Sequence, residues 1–345
     1  MKSRLLGGLT PRGFLRRYWQ KRPFFVRAAV AQIGNLPDRR ALAALAARDD
    51  VESRIVEHRG NRWQTTHGPF GRAALRRTNA TLLVSGVNLH LRAADSLLRR
   101  FNFIPQARLD DVMVSFATPG GGVGPHTDSY DVFLIQGEGT RRWTVWSPGH
   151  SRKITQVTKP GDLLYVPPGW KHDGVALEPC FTYSIGFRAP RGAELGAAFL
   201  DYLHERGLPD AVYRDPGLPP ATRTARIPGE MLFFATKALQ RIRWSRSDIV
   251  TFLGEYLTQP KPHVVFRPTR SRGSLLRLDA KTQLLYFGGR FFINGEAFAL
   301  PRRHRDAMRR LADRRRSEVA SLAGQAKLIG EWRRAGYVHL EKRDG

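Results

Sequence analysis

A β barrel or double sheet, then a run of helices, then a small module of strands and helices is the architecture predicted by the 345-residue sequence. Three patterns predict it. Between residues 112 and 190, short runs of β-branched and aromatic residues recur between Gly, Pro and Asp punctuation at the spacing of an all-β domain. From 191 to 258, apolar residues fall at helical spacing. Beyond 260, strand-like runs with an Asn294-Gly295 hairpin signal precede a long helical stretch. The expected units are therefore residues 1–192, 193–259 and 260–345.

The elements follow in order. The basic start resembles a transit peptide, but Trp19, Phe24 and Phe25 are large apolar side chains better explained by a folded entry segment. Residues 37–58, PDRRALAALAARDDVESRIVEH, predict a helix and an extended piece. Strands are expected over 112–119, 130–137, 141–148, 153–158, 162–168 and 181–190. Three helices follow, in ELGAAFLDYLHERG, PGEMLFFATKALQRIRW and SDIVTFLGEYL, with Ser245 or Ser247 available as a cap for the third. QPKPHVVFRP reads as a linker. The last part predicts a winged-helix-like module ending in helices.

Composition narrows the function classes. Apolar and charged contents of 41% and 25% are those of an ordinary soluble protein, but 57 Lys plus Arg against 30 Asp plus Glu leave a net charge of +27. Such a surface favours polyanion partners and says nothing about fold. The single cysteine, Cys180, excludes an intramolecular disulfide framework and a multi-cysteine zinc site, and fits a reducing cytoplasmic setting. No apolar run has the length of a membrane span.

The chemistry concentrates in GPHTDSYDVFLIQGEGTRRWTVW, residues 124–146. On a strand, residues i and i+2 share a face, so His126 and Asp128 project together. In GDLLYVPPGWKHDGV, a strand and a Pro-Pro-Gly turn deliver His172. Two histidines and one carboxylate make the facial triad of non-haem Fe(II) oxygenases, which leaves coordination positions open for co-substrate and dioxygen. A second His-x-Asp triplet, His304 to Asp306, lies in a helical pattern, where residues two apart diverge by about 200°; it reads as a solvated face. Alternation along RRWTVW puts Arg141, Trp143 and Val145 on one face, and an inward guanidinium needs an anion. A dicarboxylate chelating the metal at one end would meet it, with Ser115 on the preceding strand adding a hydroxyl. The other reading pairs Arg141 with a neighbouring acid and leaves Ser115 merely small. GGGVG precedes a strand and not a helix, so it is read as a tight lid over the metal mouth and not as a phosphate loop. Asp131, Gln136 and Asp173, near the ligands in sequence, are candidates for steering a cationic substrate.

The stretches FLRRYWQKRPFF, SRIVEHRGNRWQTTHGPF, SFATPGGGVGPHTDSYDVFLIQGEGTRRW, GDLLYVPPGWKHDGVALE and YSIGFRAP closely resemble the bacterial ribosomal oxygenases, JmjC-type cupin proteins that hydroxylate an arginine of a large-subunit ribosomal protein. The resemblance implies a double-stranded β-helix holding Fe(II) through His126, Asp128 and His172, and 2-oxoglutarate through Arg141 and Ser115, with dioxygen as co-substrate. It also implies arginine 3-hydroxylation, a helical dimerisation region that makes a homodimer, and a C-terminal winged-helix-like domain. The segment between TVWSPGH and the PGD turn is shorter than in the bacterial members. The basic run RRHRDAMRRLADRRR, with Arg302, Arg303, Arg305, Arg309, Arg310, Arg314, Arg315 and Arg316 in one helix, suggests a ribosomal protein met on ribosomal RNA. Two rivals stay open: the same chemistry on a histidine-bearing ribosomal protein or on nucleic acid, and a non-enzymatic RNA- or DNA-binding protein with a vestigial barrel.

Overall fold

The computed structural model describes residues 4–31, 36–60, 62–71 and 76–342. Two compact units divide the chain: Met1–Ala189 with Pro260–Thr282 and Asp306–Gly345, and Pro190–Gln259 with Gln283–Arg305. No described helix is long and apolar enough to cross a membrane.

In the first unit, α1 (Pro11–Arg17), β1 (Phe24–Val26), α2 (Arg39–Ala46), β2 (Ser53–Arg59), β3 (Arg62–His67), β4 (Ala80–Val84), α3 (Arg92–Arg99) and β5 (Leu109–Ala117) come first. The motif region holds β6 (His126–Thr127), β7 (Val132–Gln136) and β8 (Arg141–Trp146), and β9 (Lys153–Thr158), β10 (Leu163–Val166), β11 (Lys171–Ala176) and β12 (Cys180–Phe187) complete the barrel. An eight-stranded sheet runs β1-β10-β7-β12-β5-β4-β2-β3, and a four-stranded sheet runs β6-β11-β8-β9. This is the double sheet that the punctuated strand pattern predicts.

One detail differs from the sequence reading: β6 is only two residues long, so Asp128 lies just beyond it. At the Gly137–Gly139 turn the chain passes from one sheet to the other, because β7 and β8 belong to different sheets. The chain crosses between layers there because Gly139 has φ +67 and sits so close to Pro179 that a Cβ would lie 2.2 Å from its carbonyl oxygen.

The aromatic entry segment is part of the core. Phe24 pairs with Tyr165 across β1 and β10, and Trp19 stacks on the Tyr165 ring with centroids 5.7 Å apart. Burying several aromatic rings in one cluster is a large source of stability. The C-terminal part of this unit is a sheet β17-β13-β18 of β13 (Leu275–Leu278), β17 (Arg316–Glu318) and β18 (Val338–Glu341), with α8 (Ala326–Ala335) before its last strand. Arg92 of α3 pairs with Glu341 of β18.

In the second unit, α4 (Gly192–Glu205), α5 (Gly229–Gln240) and α6 (Arg246–Thr258) are the three expected helices, and β14 (Leu284–Phe287), β15 (Arg290–Ile293) and β16 (Glu296–Ala299) form a meander. Ser245 caps α6 through a reciprocal pair: its hydroxyl accepts from the Asp248 N–H at 3.3 Å while Asp248 accepts from the Ser245 N–H at 2.7 Å. Asn294 and Gly295 turn β15 into β16 with φ +48 and +92.

The basic run is not one continuous helix. α7 covers Arg302–Arg314, while Arg315 leaves it at φ +59 and is buried, and Arg316 enters β17. One guanidinium nitrogen of Arg315 donates to the Asp279 carbonyl at 2.7 Å, and burial pulls its pKa down to about 9. The exposed cations of the run are Arg302, Arg303, Arg310, Arg314 and Arg316. The His304 to Asp306 triplet lies on α7, as expected.

A Cβ on Gly254 of α6 would lie 2.3 Å from the Phe292 ring, whereas one on Gly196 of α4 would meet nothing within 4 Å. Gly254→Ala is therefore expected to lower stability by about 1–3 kcal/mol, and Gly196→Ala to leave it unchanged or raise it by up to about 1 kcal/mol. Urea denaturation of the two variants checks the contrast.

Candidate metal centre

The site begins with strand register. β6 pairs antiparallel with β11 so that His126 stands opposite His172, and their ring centroids are 4.2 Å apart. The Asp128 carbonyl accepts from the Gly169 N–H at 2.9 Å, tying the end of β6 to the Pro-Pro-Gly turn that delivers His172. Asp128 Oδ2 then lies 3.7 Å from His172 Nε2 and 4.0 Å from His126 Nε2. Metal bonds to such atoms are about 2.0–2.2 Å, so two of them span up to about 4.3 Å; the gap accepts one ion.

The backbone sets which ring nitrogens face that gap. Nδ1 of His126 is 2.9 Å from the Gly124 carbonyl, and Nδ1 of His172 is 3.2 Å from that of Trp170. Each Nδ1 therefore carries the proton and donates it, leaving Nε2 as the ligand atom. His172 is buried, and burial together with the His126 charge lowers its pKa, which favours the neutral form that a metal requires. Among the described residues, these three make the one cluster able to hold an ion.

The glycine-rich loop is a pinned strap and not a phosphate cradle. Gly120 N donates to the Ala176 carbonyl and Ala176 N to that of Gly121, both at 2.9 Å. Gly124 has φ +80, and a Cβ there would sit 2.8 Å from the Trp63 indole nitrogen. Trp63 of β3 thus packs on the glycine whose carbonyl orients His126.

A cavity of about 460 Å³ opens onto the three side chains. Arg141, Ser115, Thr182 and Trp143 line it, as do Glu52, Asp110, Asp111 and Tyr130. Arg141 is only 4% exposed, its ring neighbour is Trp143 at 5.5 Å, and its Nε and one Nη have no hydrogen-bond partner. Among the described residues it forms no ion pair, so the reading that joins it to a neighbouring acid fails. A guanidinium in that state needs an anion from outside the chain. Ser115 is buried, with its hydroxyl 3.5 Å from the Thr182 carbonyl. A second cavity, about 640 Å³, lies along α5 by Tyr213, Phe233 and Phe234; it holds no metal-ligating cluster.

The three proposed substrate-steering residues are elsewhere. Asp131 is fully buried away from the cavity, accepting from Tyr165 Oη at 2.6 Å, Gln20 Nε2 at 3.0 Å and Arg108 at 3.4 Å; it staples the entry segment to the sheet. Gln136 donates to the Glu138 and Gly139 carbonyls and accepts from Thr158 Oγ1, so it holds the crossover turn. Asp173, next to inward His172 on β11, faces the opposite side of the four-stranded sheet. Besides Asp128, the cavity's acids are Glu52, Asp110 and Asp111. Asp111 was readable: it lies on the Ser115 face of β5, four residues earlier. Burial raises the Asp111 pKa against the pull of Lys261, whose ammonium lies 4.0 Å away.

Double sheet, two-histidine-one-carboxylate cluster and buried cation together define the class of non-haem Fe(II) oxygenases. A JmjC domain model matches residues 96–195 and a ROXA-like winged-helix model matches 241–332. The ribosomal protein uL16 3-hydroxylase of Escherichia coli is 36% identical over 329 residues, which cover 87% of each chain. A probable ribosomal oxygenase of Haemophilus influenzae is 35% identical over 208 residues, 54% of this chain and 52% of that one. The solved structure of YcfD, a ribosomal oxygenase from Escherichia coli, in complex with cobalt and 2-oxoglutarate superposes with a TM-score of 0.81 at 33% identity, covering 96% of this chain and 98% of that chain. This chain belongs to the ribosomal oxygenase family of JmjC proteins.

Stapling and metal binding should separate on mutation. Asp131→Ala leaves three donors unpaired and is expected to lower stability by about 2–4 kcal/mol while Co(II) still binds. His172→Ala should abolish the Co(II) visible absorption band.

Proposed function

We propose that this protein is an Fe(II)- and 2-oxoglutarate-dependent hydroxylase of a ribosomal protein, acting by 3-hydroxylation of an arginine in a large-subunit protein. The observation that carries the reading is the buried, unpaired Arg141 guanidinium in the same cavity as His126, Asp128 and His172. Iron bound there supplies oxygen activation, with 2-oxoglutarate and dioxygen as co-substrates.

The chain's own residues do the rest. His126, Asp128 and His172 hold the ion on one side and leave the cavity side open. Arg141 offers two N–H groups in a fork to the far carboxylate of the keto-acid, and Ser115 offers its hydroxyl. Trp143, Val132 and Leu134 wall this end against water. The substrate enters where Glu52, Asp110 and Asp111 lie. On β5, Asp111 and Ser115 are four residues apart, about 13 Å along a strand. That separation puts carboxylates at one end of the cavity for a cationic side chain, and a cation at the other for the keto-acid.

The three functional segments follow the bounds 1–192, 193–259 and 260–345. Homodimerisation through the helical segment is supported by α5, where Leu232, Phe233 and Leu239 are exposed together. Ribosomal RNA contact through the C-terminal part is supported by exposed Arg302, Arg303, Arg310 and Arg314 on α7. The cytoplasm, where ribosomal proteins are met, is the proposed compartment.

Intact-mass comparison of ribosomal proteins from cells with and without the gene tests the reading. One large-subunit protein should be heavier by one oxygen, about 16 Da, in the presence of the gene, and fragmentation should place the oxygen on an arginine. An oxygen on histidine would move the substrate, and no mass difference in any ribosomal protein would reject the assignment.

A further inference from the structure

We propose that the outer face of the four-stranded sheet binds single-stranded RNA by stacking a base on Trp146. Strand register creates the site. Lys171 of β11 stands opposite Trp146 of β8, and Trp146 stands opposite Lys153 of β9. All three point away from the cavity, because their strand neighbours His172 and Val145 are buried inward. The ammoniums of Lys171 and Lys153 lie 5.7 and 5.9 Å from the Trp146 ring centroid. Three residues distant in sequence thus form one row, an aromatic ring between two cations. Among the described residues neither lysine forms an ion pair. Arg142 is exposed on the same face, two rows along, and Arg152 is exposed just before Lys153. Asp173 is the acid of this face, and it sits between the rows of Lys171 and Arg142.

That arrangement fits a nucleotide strand. Bases stack on aromatic rings without regard to sequence, while phosphates pair with flanking cations. A surface cation–π contact is weaker than a stacked base, so a lysine can leave the ring for a phosphate while a base takes its place. The row continues to Thr127 of β6, beside the ligand Asp128. RNA held here would run past the metal cavity, next to a protein substrate presented there. The choice of RNA rests on the ribosomal substrate proposed above; the stacking row itself does not.

Fluorescence anisotropy of a labelled oligouridylate and of an RNA duplex of equal length tests the site on the full chain. Trp146→Ala should weaken oligouridylate binding at least about ten-fold and leave duplex binding unchanged, with Trp146→Phe restoring most of the loss. Lys153→Glu should weaken the single strand and flatten its salt dependence. The proposal is overturned if Trp146→Ala binds oligouridylate like wild type, or loses strand and duplex equally. Oligouridylate that fails to bind the wild-type chain overturns it too. Substrate-free 2-oxoglutarate turnover at the wild-type level shows that a variant is folded, and should Trp146→Ala fail there, unchanged binding by Lys153→Glu is the contrary result. Wild-type turnover combined with a negative RNA result would sink this site and leave the hydroxylase reading standing.

Discussion

The structure depends on a buried cation, Arg141, that no acid among the described residues neutralises. Arg141 reaches the barrel interior because β8 alternates, sending Arg141, Trp143 and Val145 inward and Arg142 outward. Leaving a guanidinium there without a partner costs several kcal/mol. The barrel keeps it nonetheless, and the cavity around it opens toward three metal-ligating side chains. Under the function proposed above, cation and triad are two halves of one binding problem, whose solution is a molecule with a carboxylate at one end and chelating oxygens at the other.

The two histidines are held unequally. His172 sits within a six-residue strand between β6 and β8 and is 3% exposed, whereas the His126 side chain is 38% exposed on a strand of two residues. What His126 lacks in strand support is supplied by the loop before it, pinned to β11 by paired backbone bonds and packed by Trp63 on Gly124. The centre is thus rigid on the β11 side and dependent on a strap on the other.

Much of this was legible from period-two patterning, because alternation fixes which side chains share a face. Arg141, Ser115, His126 and His172 were readable in that way, as were the Ser245 cap and the Asn294-Gly295 turn from their local chemistry. What alternation cannot say is which sheet a strand joins. The crossover at Gly137–Gly139 and the added edge β4-β2-β3 depend on contacts between residues far apart in sequence. The choice of acids failed for a different reason: nearness to the ligands in sequence stood in for alternation, which sets Asp173 on the face opposite to that of His172 on β11 and Asp111 with Ser115 on β5. Asp131 and Asp173 are near the ligands in sequence and point elsewhere, while Asp111 is distant in sequence and faces the cavity. Arg315 shows a parallel error in the basic run, where all eight arginines were placed in one helix and packing buried the residue that follows its last turn.

The most direct test is diffraction from crystals grown with Mn(II) and 2-oxoglutarate. The account requires one anomalous peak bounded by His126 Nε2, Asp128 Oδ2 and His172 Nε2, with the distal carboxylate of the keto-acid on the Arg141 guanidinium. An ion bound elsewhere, or a keto-acid that leaves Arg141 unpaired, would contradict it.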